Sequence, residues 1–282
     1  MPLVPFAQLL EDARNNHYTV GAFNVLNMET IQAVVTAAEE TQSPVILSTY
    51  YPHVQWAGAD YLQAVASVAA THTQVPISIS LDHGPNYDAA IECLNAGYTG
   101  IMIDLAHADY DQNVEITRKV VAIAHERGIS VEAELGKIFD ASEPVEVRKS
   151  AMTDPEMARR FAIDTGIDAL AVSIGTAHGI YSSDPEIDFE LLEKIIKMTE
   201  CPIVVHGGSN IPDSDLVRIV QLGVAKINIG TDLMMAFNRG MYEILKDNQG
   251  AATETVLGNG RKHVIEVTKH KMKLLNTFKK VK

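Results

Sequence analysis

The chain is poor in the residues that would mark it as secreted, membrane-bound or nucleic-acid-binding. Among 282 residues there are two cysteines, Cys93 and Cys201. They give neither a disulfide framework nor a metal spacing, so a reducing cytoplasm is the expected home. No apolar run approaches the roughly 18 residues of a membrane span. Met1 to Leu10 lacks a basic stretch leading into an apolar one, so no secretory signal is expected. Positive charge is scarce: 23 Lys and Arg face 36 Asp and Glu, a formal net charge of -13. That balance argues against nucleic acid or an anionic membrane as partner. An anionic substrate would have to be attracted locally, by a metal ion and backbone N–H groups. No linker, low-complexity tract or repeat calls for a second domain.

What is present is a globular composition, 46% hydrophobic and 21% charged, with enough length for one large α/β unit. Eight apolar runs each end on polar or glycine residues. They are Val20 to Phe23 (then Asn24), Val45 to Thr49 (Tyr50), Ile77 to Leu81 (Asp82), Gly100 to Ile103 (Asp104) and Ile129 to Ala133 (Glu134). Ala169 to Ile174 opens into a loop carrying His178, Pro202 to Val205 ends on His206, and Ala225 to Ile227 ends on Asn228. Helical patterns lie between and after them, at roughly 28–41, 58–72, 86–96, 111–127, 154–165, 188–199, 212–222 and 231–247. Capping signatures at Thr153-Asp154-Pro155-Glu156 and Pro212-Asp213, and stops at Gly97, Gly128, Gly166 and Gly223, punctuate them. Eight alternations predict a single (β/α)8 TIM barrel over residues 1–282, because parallel strands buried on both faces read as unbroken apolar runs. An open doubly wound sheet is disfavoured, since no glycine-rich dinucleotide turn follows the first strand. Residues 2–16 are expected to cap the barrel bottom and residues 260–280 to form a basic C-terminal helix. The longest irregular stretch, 136–152, has the length of a lid or active-site loop.

In a barrel the C-terminal strand ends share one mouth, so Asn24, Asp82, His83, Asp104, Glu134, His178, His206 and Asn228 should face it together. Three imidazoles converging from three strand ends leave a Zn²⁺ one open position, the arrangement of a catalytic zinc. Gly207-Gly208-Ser209 after the seventh strand and Asn228-Ile229-Gly230-Thr231 after the eighth are where barrels commonly bind phosphate on backbone N–H groups. Such a site suits carbon–carbon cleavage beside a ketone. A Lewis acid stabilises the enediolate, and Asp82 takes the proton from the C4 hydroxyl as the bond breaks.

These residues also carry a family likeness. Asp82-His83-Gly84, Glu132-Ala133-Glu134-Leu135-Gly136, Gly175-Thr176-Ala177-His178-Gly179, His206-Gly207-Gly208-Ser209 and Lys226-Ile227-Asn228 resemble the class II, zinc-dependent ketose-bisphosphate aldolases, over almost the whole chain. The resemblance implies that His83, His178 and His206 bind the catalytic zinc and that Asp82 is the acid/base. It implies further that Asp104 and Glu134 hold a second or displaced metal. Gly179, Gly207 to Ser209 and Asn228 to Thr231 would bind the dihydroxyacetone phosphate half, with a monovalent cation nearby, in a homodimer or homotetramer. Asn24 joins the substrate-contacting set. Three departures stand out. The family's loop Leu-Gly-x-x-Gly-Gly-x-Glu-Asp, whose Glu returns a proton, reads Leu135-Gly136-Lys137-Ile138-Phe139-Asp140-Ala141-Ser142-Glu143, leaving Glu143 as a shifted candidate. The serine that touches the aldehyde half is Tyr50. The arginine that grips a second phosphate aligns with Glu254.

The expected substrate is therefore a small phosphorylated sugar, a ketose 1-phosphate rather than fructose or tagatose 1,6-bisphosphate, unless Arg148, Lys149 or Arg261 supplies the missing charge. Two other functions compete. A Schiff-base aldolase would need an activated lysine, and Lys226 has no obvious activator in the sequence. A non-catalytic sugar-phosphate-binding barrel would keep the fold and lose the chemistry.

Overall fold

Each apolar run forms a strand, because a parallel strand with helices outside and side chains inside has no wet face to alternate toward. In the computed structural model, which describes residues 3–181 and 185–281, the strands close in sequence order into one parallel barrel. They are β1 (Val20–Asn24), β2 (Val45–Tyr50), β3 (Ile77–Gly84), β4 (Gly100–Ile103), β5 (Ser130–Leu135), β6 (Ala169–Val172), β7 (Ile203–Val205) and β8 (Lys226–Ile229). The seam joins β1 to β8, with Ala22 opposite Asn228. The closed ring excludes the doubly wound alternative.

The helices are α1 (Phe6–Asn16), α2 (Met28–Thr41), α3 (Tyr51–Ala57), α4 (Ala59–Thr71), α5 (Tyr87–Ala96) and α6 (Tyr110–Glu126). They continue as α7 (Val145–Ser150), α8 (Pro155–Thr165), α9 (Phe189–Met198), α10 (Asp213–Leu222), α11 (Thr231–Leu245) and α12 (Thr253–Leu274). Local chemistry sets their ends. Asp154 caps α8 by accepting from Met157 N–H, with Pro155 at the first turn, and Gly166 ends it in the left-handed region. At Pro212-Asp213 the helix begins where expected, but no side chain caps it.

Three expectations need correction. The helix expected over 58–72 is α4, but a further short helix that was not expected, α3, precedes it, the two separated at Gly58 with φ 88°. The irregular stretch 136–152 contains α7. The C-terminal helix starts at Thr253, well before 260, and stops at Leu274. Its Gly260 is not a breaker: a Cβ there would lie 2.8 Å from the Phe237 ring, and one on Gly240 would lie 2.8 Å from the Gly260 Cα. Glycine lets α11 and α12 cross closely. Pro2, expected in the first helix, lies outside the described residues.

Apolar burial falls into two cores. An outer ring lies between the strands and the helices. An inner plug joins Phe6, Leu9, Leu10 and Ala13 of α1 to Val20, Ile46, Met102 and Val204 inside the barrel. Phe6 seats on Gly100, where a Cβ would come within 2.4 Å of its ring. Burying such a ring is worth about 1.5–3 kcal/mol, so α1 closes the bottom and leaves the opposite end open for chemistry.

Candidate active site

The open end holds a cavity of about 780 Å³, walled by residues at the ends of, or in the loops after, all eight strands; Glu134 of β5 is not in the wall and stands behind His83. Asp82 and His83 are neighbours in sequence, and side chains in a regular strand alternate faces, so only one should reach the cavity. Both do. The pairing of β3 with β4 steps from Leu81–Ile101 to Gly84–Ile103, one extra residue on β3, and His83 takes φ 50°. This bulge turns both side chains inward. Gly84 is required beside it, because a Cβ would lie 2.5 Å from the Met102 carbonyl oxygen.

Asp82 is buried and bracketed by amides: Asn24 Nδ2 donates to one oxygen at 2.7 Å and Asn228 Nδ2 to the other at 2.8 Å. Burial would raise its pKa, but His83, His206, Lys226 and the Asn24 bond together hold it below the usual carboxylate range. An ionised, oriented carboxylate is what a proton acceptor requires.

The three imidazoles meet. His83 Nε2 lies 3.2 Å from His178 Nε2 and 3.0 Å from His206 Nδ1. The other nitrogen of His83 faces Asp104 Oδ2 at 2.6 Å, and that of His206 faces Glu132 Oε1 at 2.8 Å. An ionised carboxylate only accepts, so those nitrogens carry the protons. The nitrogens that converge are then left with lone pairs, which repel unless a cation sits among them. Nitrogens sharing one tetrahedral zinc are about 3.3 Å apart, close to the spacings here. The electrostatics agree. Burial opposes charge on His83, yet Asp82, Asp104 and Glu134 outweigh it and push its pKa up to about 10. Burial and the adjacent His83 push His178 down to about 4 and His206 well below its ordinary value. The site thus favours one positive charge among three nitrogens, and its residues fit a divalent metal. A second group, His83, Asp104 and Glu134, also has ligand atoms within 4.8 Å of one another. Burial and the Asp104 charge push Glu134 well above the carboxylate range, and its Oε2 is buried without a hydrogen-bond partner.

The glycine loops close the opposite wall. Gly207 has φ 70°, and a Cβ there would lie 2.2 Å from the Ala177 carbonyl oxygen. Ser209 Oγ accepts from Gly230 N–H at 3.2 Å and Asp232 N–H at 3.1 Å, tying this loop to the N-terminus of α11. Tyr181 donates to the Ala177 carbonyl at 2.8 Å and accepts its N–H at 2.6 Å, fixing the His178 loop. Gly179, Gly207, Ser209, Asn228, Gly230 and Thr231 reach the cavity. Gly208 and Ile229 do not; Ile229 is buried in the outer core.

Asn24, Tyr50 and Asp104 line the cavity as expected, and Tyr50 stands edge-on to His83. Glu143 is exposed and outside the lining, whereas Asp140 of the same loop is in it. The reason is a short parallel bridge: His178 N–H donates to the Phe139 carbonyl at 2.9 Å and Ala141 N–H to the His178 carbonyl at 2.7 Å. Asp140 is thereby held beside Gly179. Glu132 and Lys226 stood in the sequence motifs without a place in the site, and their pairing was not foreseen. Their Oε2 and Nζ lie 2.6 Å apart, both fully buried. The Glu132-Ala133-Glu134 alternation was the available signal, since residues two apart share a face. Lys226 does not line the cavity, and its amine is engaged by a carboxylate, which leaves no Schiff-base nucleophile there. Among the described residues no lysine or arginine lines the cavity. Arg148 is buried, Lys149 pairs with Glu186, Arg261 donates to Gln32, and Glu254 is exposed on α12.

A closed barrel with its carboxylates and imidazoles gathered at one mouth defines an α/β-barrel enzyme. Comparison with known proteins gives its kind. The chain matches the family described as fructose-bisphosphate aldolase class-II over residues 4–280. It is 35% identical to the fructose-bisphosphate aldolases of Staphylococcus epidermidis and Staphylococcus aureus, over the full length of both chains. Among solved structures it superposes on the YdjI aldolase of Escherichia coli K12 with TM-score 0.88 and 33% identity, covering 99% of this chain and 100% of that one. A fructose-1,6-bisphosphate aldolase described as putative, from Coccidioides immitis, gives TM-score 0.86 at 26% identity, over 97% and 96% of the two chains. The chain belongs to the class II fructose-bisphosphate aldolase family. It is an aldolase, a lyase of carbon–carbon bonds, and enzymes of this family are generally metal-dependent.

Proposed function

We propose that the enzyme reversibly cleaves a ketose 1-phosphate to dihydroxyacetone phosphate and an uncharged aldehyde, at a zinc held by His83, His178 and His206. The observation that carries the substrate is the cavity wall: it includes Gly207, Ser209, Asn228, Gly230 and Thr231 of the two loops expected to bind phosphate but, among the described residues, no lysine or arginine for a second phosphate. Losing an arginine fork on a phosphate costs roughly 2 to 5 kcal/mol of binding. Tyr50, Pro52, His53, Met234 and Met235 instead offer apolar area and single polar atoms to a short tail.

When bound, zinc would supply Lewis-acid stabilisation of the developing enediolate charge. Asp82 accepts the proton of the C4 hydroxyl. The C3–C4 bonding pair becomes a C2=C3 double bond as the carbonyl π pair moves onto the C2 oxygen. This releases the aldehyde and leaves an enediolate, which takes a proton at C3 from solvent to become dihydroxyacetone phosphate. Asn24 and Asn228 keep the Asp82 oxygens aimed during that transfer, and backbone N–H groups near Gly207 and Thr231 hold the phosphate. In the reverse direction Asp82 returns the proton to the new C4 oxygen. Asp104 and Glu134, with His83, would accept a second or displaced metal, and a monovalent cation would sit beside the phosphate loops. A homodimer or homotetramer is the expected assembly. Tyr61 and Val68, seven residues apart on one exposed face of α4, support a covered surface there. The thiols suit a reducing cytoplasm, and no described helix is long and apolar enough to cross a membrane.

The staphylococcal relatives bear the name fructose-bisphosphate aldolase, which favours a second reading, a bisphosphate substrate whose far phosphate meets a basic group from elsewhere. Measuring kcat/KM for fructose and tagatose 1,6-bisphosphates against a set of 1-phosphates, deoxypentulose 1-phosphates included, decides between them. A tenfold preference for a bisphosphate overturns the first reading.

A further inference from the structure

Glu132 and Lys226 form a charged pair in the barrel interior, where apolar side chains normally fill the layers. A buried ion pair is commonly no more stabilising than an apolar pair of the same volume, so stability does not account for it. Its connections do. Lys226 Nζ bonds Glu132 Oε2 at 2.6 Å, Glu132 Oε1 bonds His206 Nε2 at 2.8 Å, and His206 Nδ1 faces the convergence point 3.0 Å from His83 Nε2.

The three imidazoles are held in three different ways. His83 is held by Asp104, whose side chain retains 23% of its exposure and so keeps contact with solvent. His178 is held by its loop, through the backbone bridge to Phe139 and Ala141. His206 is held by a carboxylate with no solvent contact, and such a group needs a counter-charge of its own. Lys226 is that counter-charge, reaching across the barrel from β8 to β5.

We propose that Glu132 and Lys226 are positioning residues for metal binding: Lys226 anchors Glu132, and Glu132 fixes the ring plane and tautomer of His206 so that Nδ1 presents its lone pair to the metal. The inference rests on the reading of His83, His178 and His206 as the metal site. Carboxylates placed behind metal-binding histidines act in this way, and removing one typically costs 10–100-fold in metal affinity.

The test is zinc titration of metal-stripped protein against a competing chelator, for wild type, Glu132→Gln, Lys226→Met and the double variant Glu132→Leu/Lys226→Met. The single variants are expected to bind zinc 10–100-fold more weakly and, loaded with Co²⁺, to show a shifted visible absorption band. The double variant has an all-apolar interior. It is expected to melt at or above the wild-type temperature and still to lose zinc affinity, which separates positioning from folding. If the double variant does not fold, the near-isosteric Glu132→Gln carries the test by the same affinity ratio. Folded variants with wild-type zinc affinity and an unshifted Co²⁺ band overturn the positioning role. Wild-type protein that takes up no zinc or cobalt overturns the metal reading beneath it.

Discussion

The side-chain amide of Asn228 donates to Asp82 Oδ1 at 2.8 Å, joining the eighth strand to the third across the barrel mouth. With Asn24 on the other oxygen, the carboxylate has one orientation. Asp82→Asn keeps its size and removes the base, so kcat should fall by on the order of 10² or more while the metal stays bound. Steady-state kinetics with metal analysis on the same sample checks this; near-normal turnover would move the proton acceptor elsewhere.

His206→Ala removes one of three converging nitrogens and strands Glu132 and Lys226 beneath it. The purified variant should carry only trace metal after dialysis, where wild type stays loaded, and should have no measurable aldolase activity. Elemental analysis reads the outcome. Full occupancy in the variant would mean that another group completes the site.

Gly207→Ala and Gly128→Ala form a matched pair. Both glycines have positive φ, 70° and 68°, so each alanine carries a backbone penalty of about 1–2 kcal/mol. Only at Gly207 does the new Cβ meet something, the Ala177 carbonyl oxygen at 2.2 Å; at Gly128 nothing lies within 4 Å. Both variants should melt at lower temperature. Gly207→Ala alone should raise KM for the phosphorylated substrate, by tenfold or more.

The two thiols should be nearly inert in the native protein. Burial pushes the pKa of Cys93 and of Cys201 up to about 12 in each case. A raised thiol pKa lowers the thiolate population, to on the order of 10⁻⁴ at pH 8, and the rate should climb about tenfold per pH unit below that pKa. A chromogenic disulfide reagent should therefore react slowly with native protein and rapidly with both thiols in denaturant.

Much of this was legible in the sequence because parallel strands buried on both faces leave unbroken apolar runs, and most runs ended on a residue that now faces the mouth. Alternation alone could not predict that Asp82 and His83 both turn inward. That needs the extra residue of the bulge, announced only by Gly84. The Glu132–Lys226 pair was hidden for another reason: its members lie 94 positions apart, and only the barrel's register brings them together. Gly260 read as a place for a helix to begin, and its purpose appears only with Gly240 and Phe237 packed against it. Glu143 was the carboxylate expected at the cavity, but the backbone bridge to the His178 loop brings Asp140 there instead.

The seam between the first and last strands also has a consequence for the order of assembly. Ala22 pairs with Asn228, roughly 200 residues later in the chain, and loop closure over such a distance makes this contact entropically late. Asn24 and Asn228, which flank the seam, both grip Asp82, a residue whose own strand has near neighbours to pair with much earlier. During synthesis the base therefore exists long before it is aimed. A chain released short of β8 can hold much of the sheet and still lack a working proton acceptor, so activity arrives with closure of the ring.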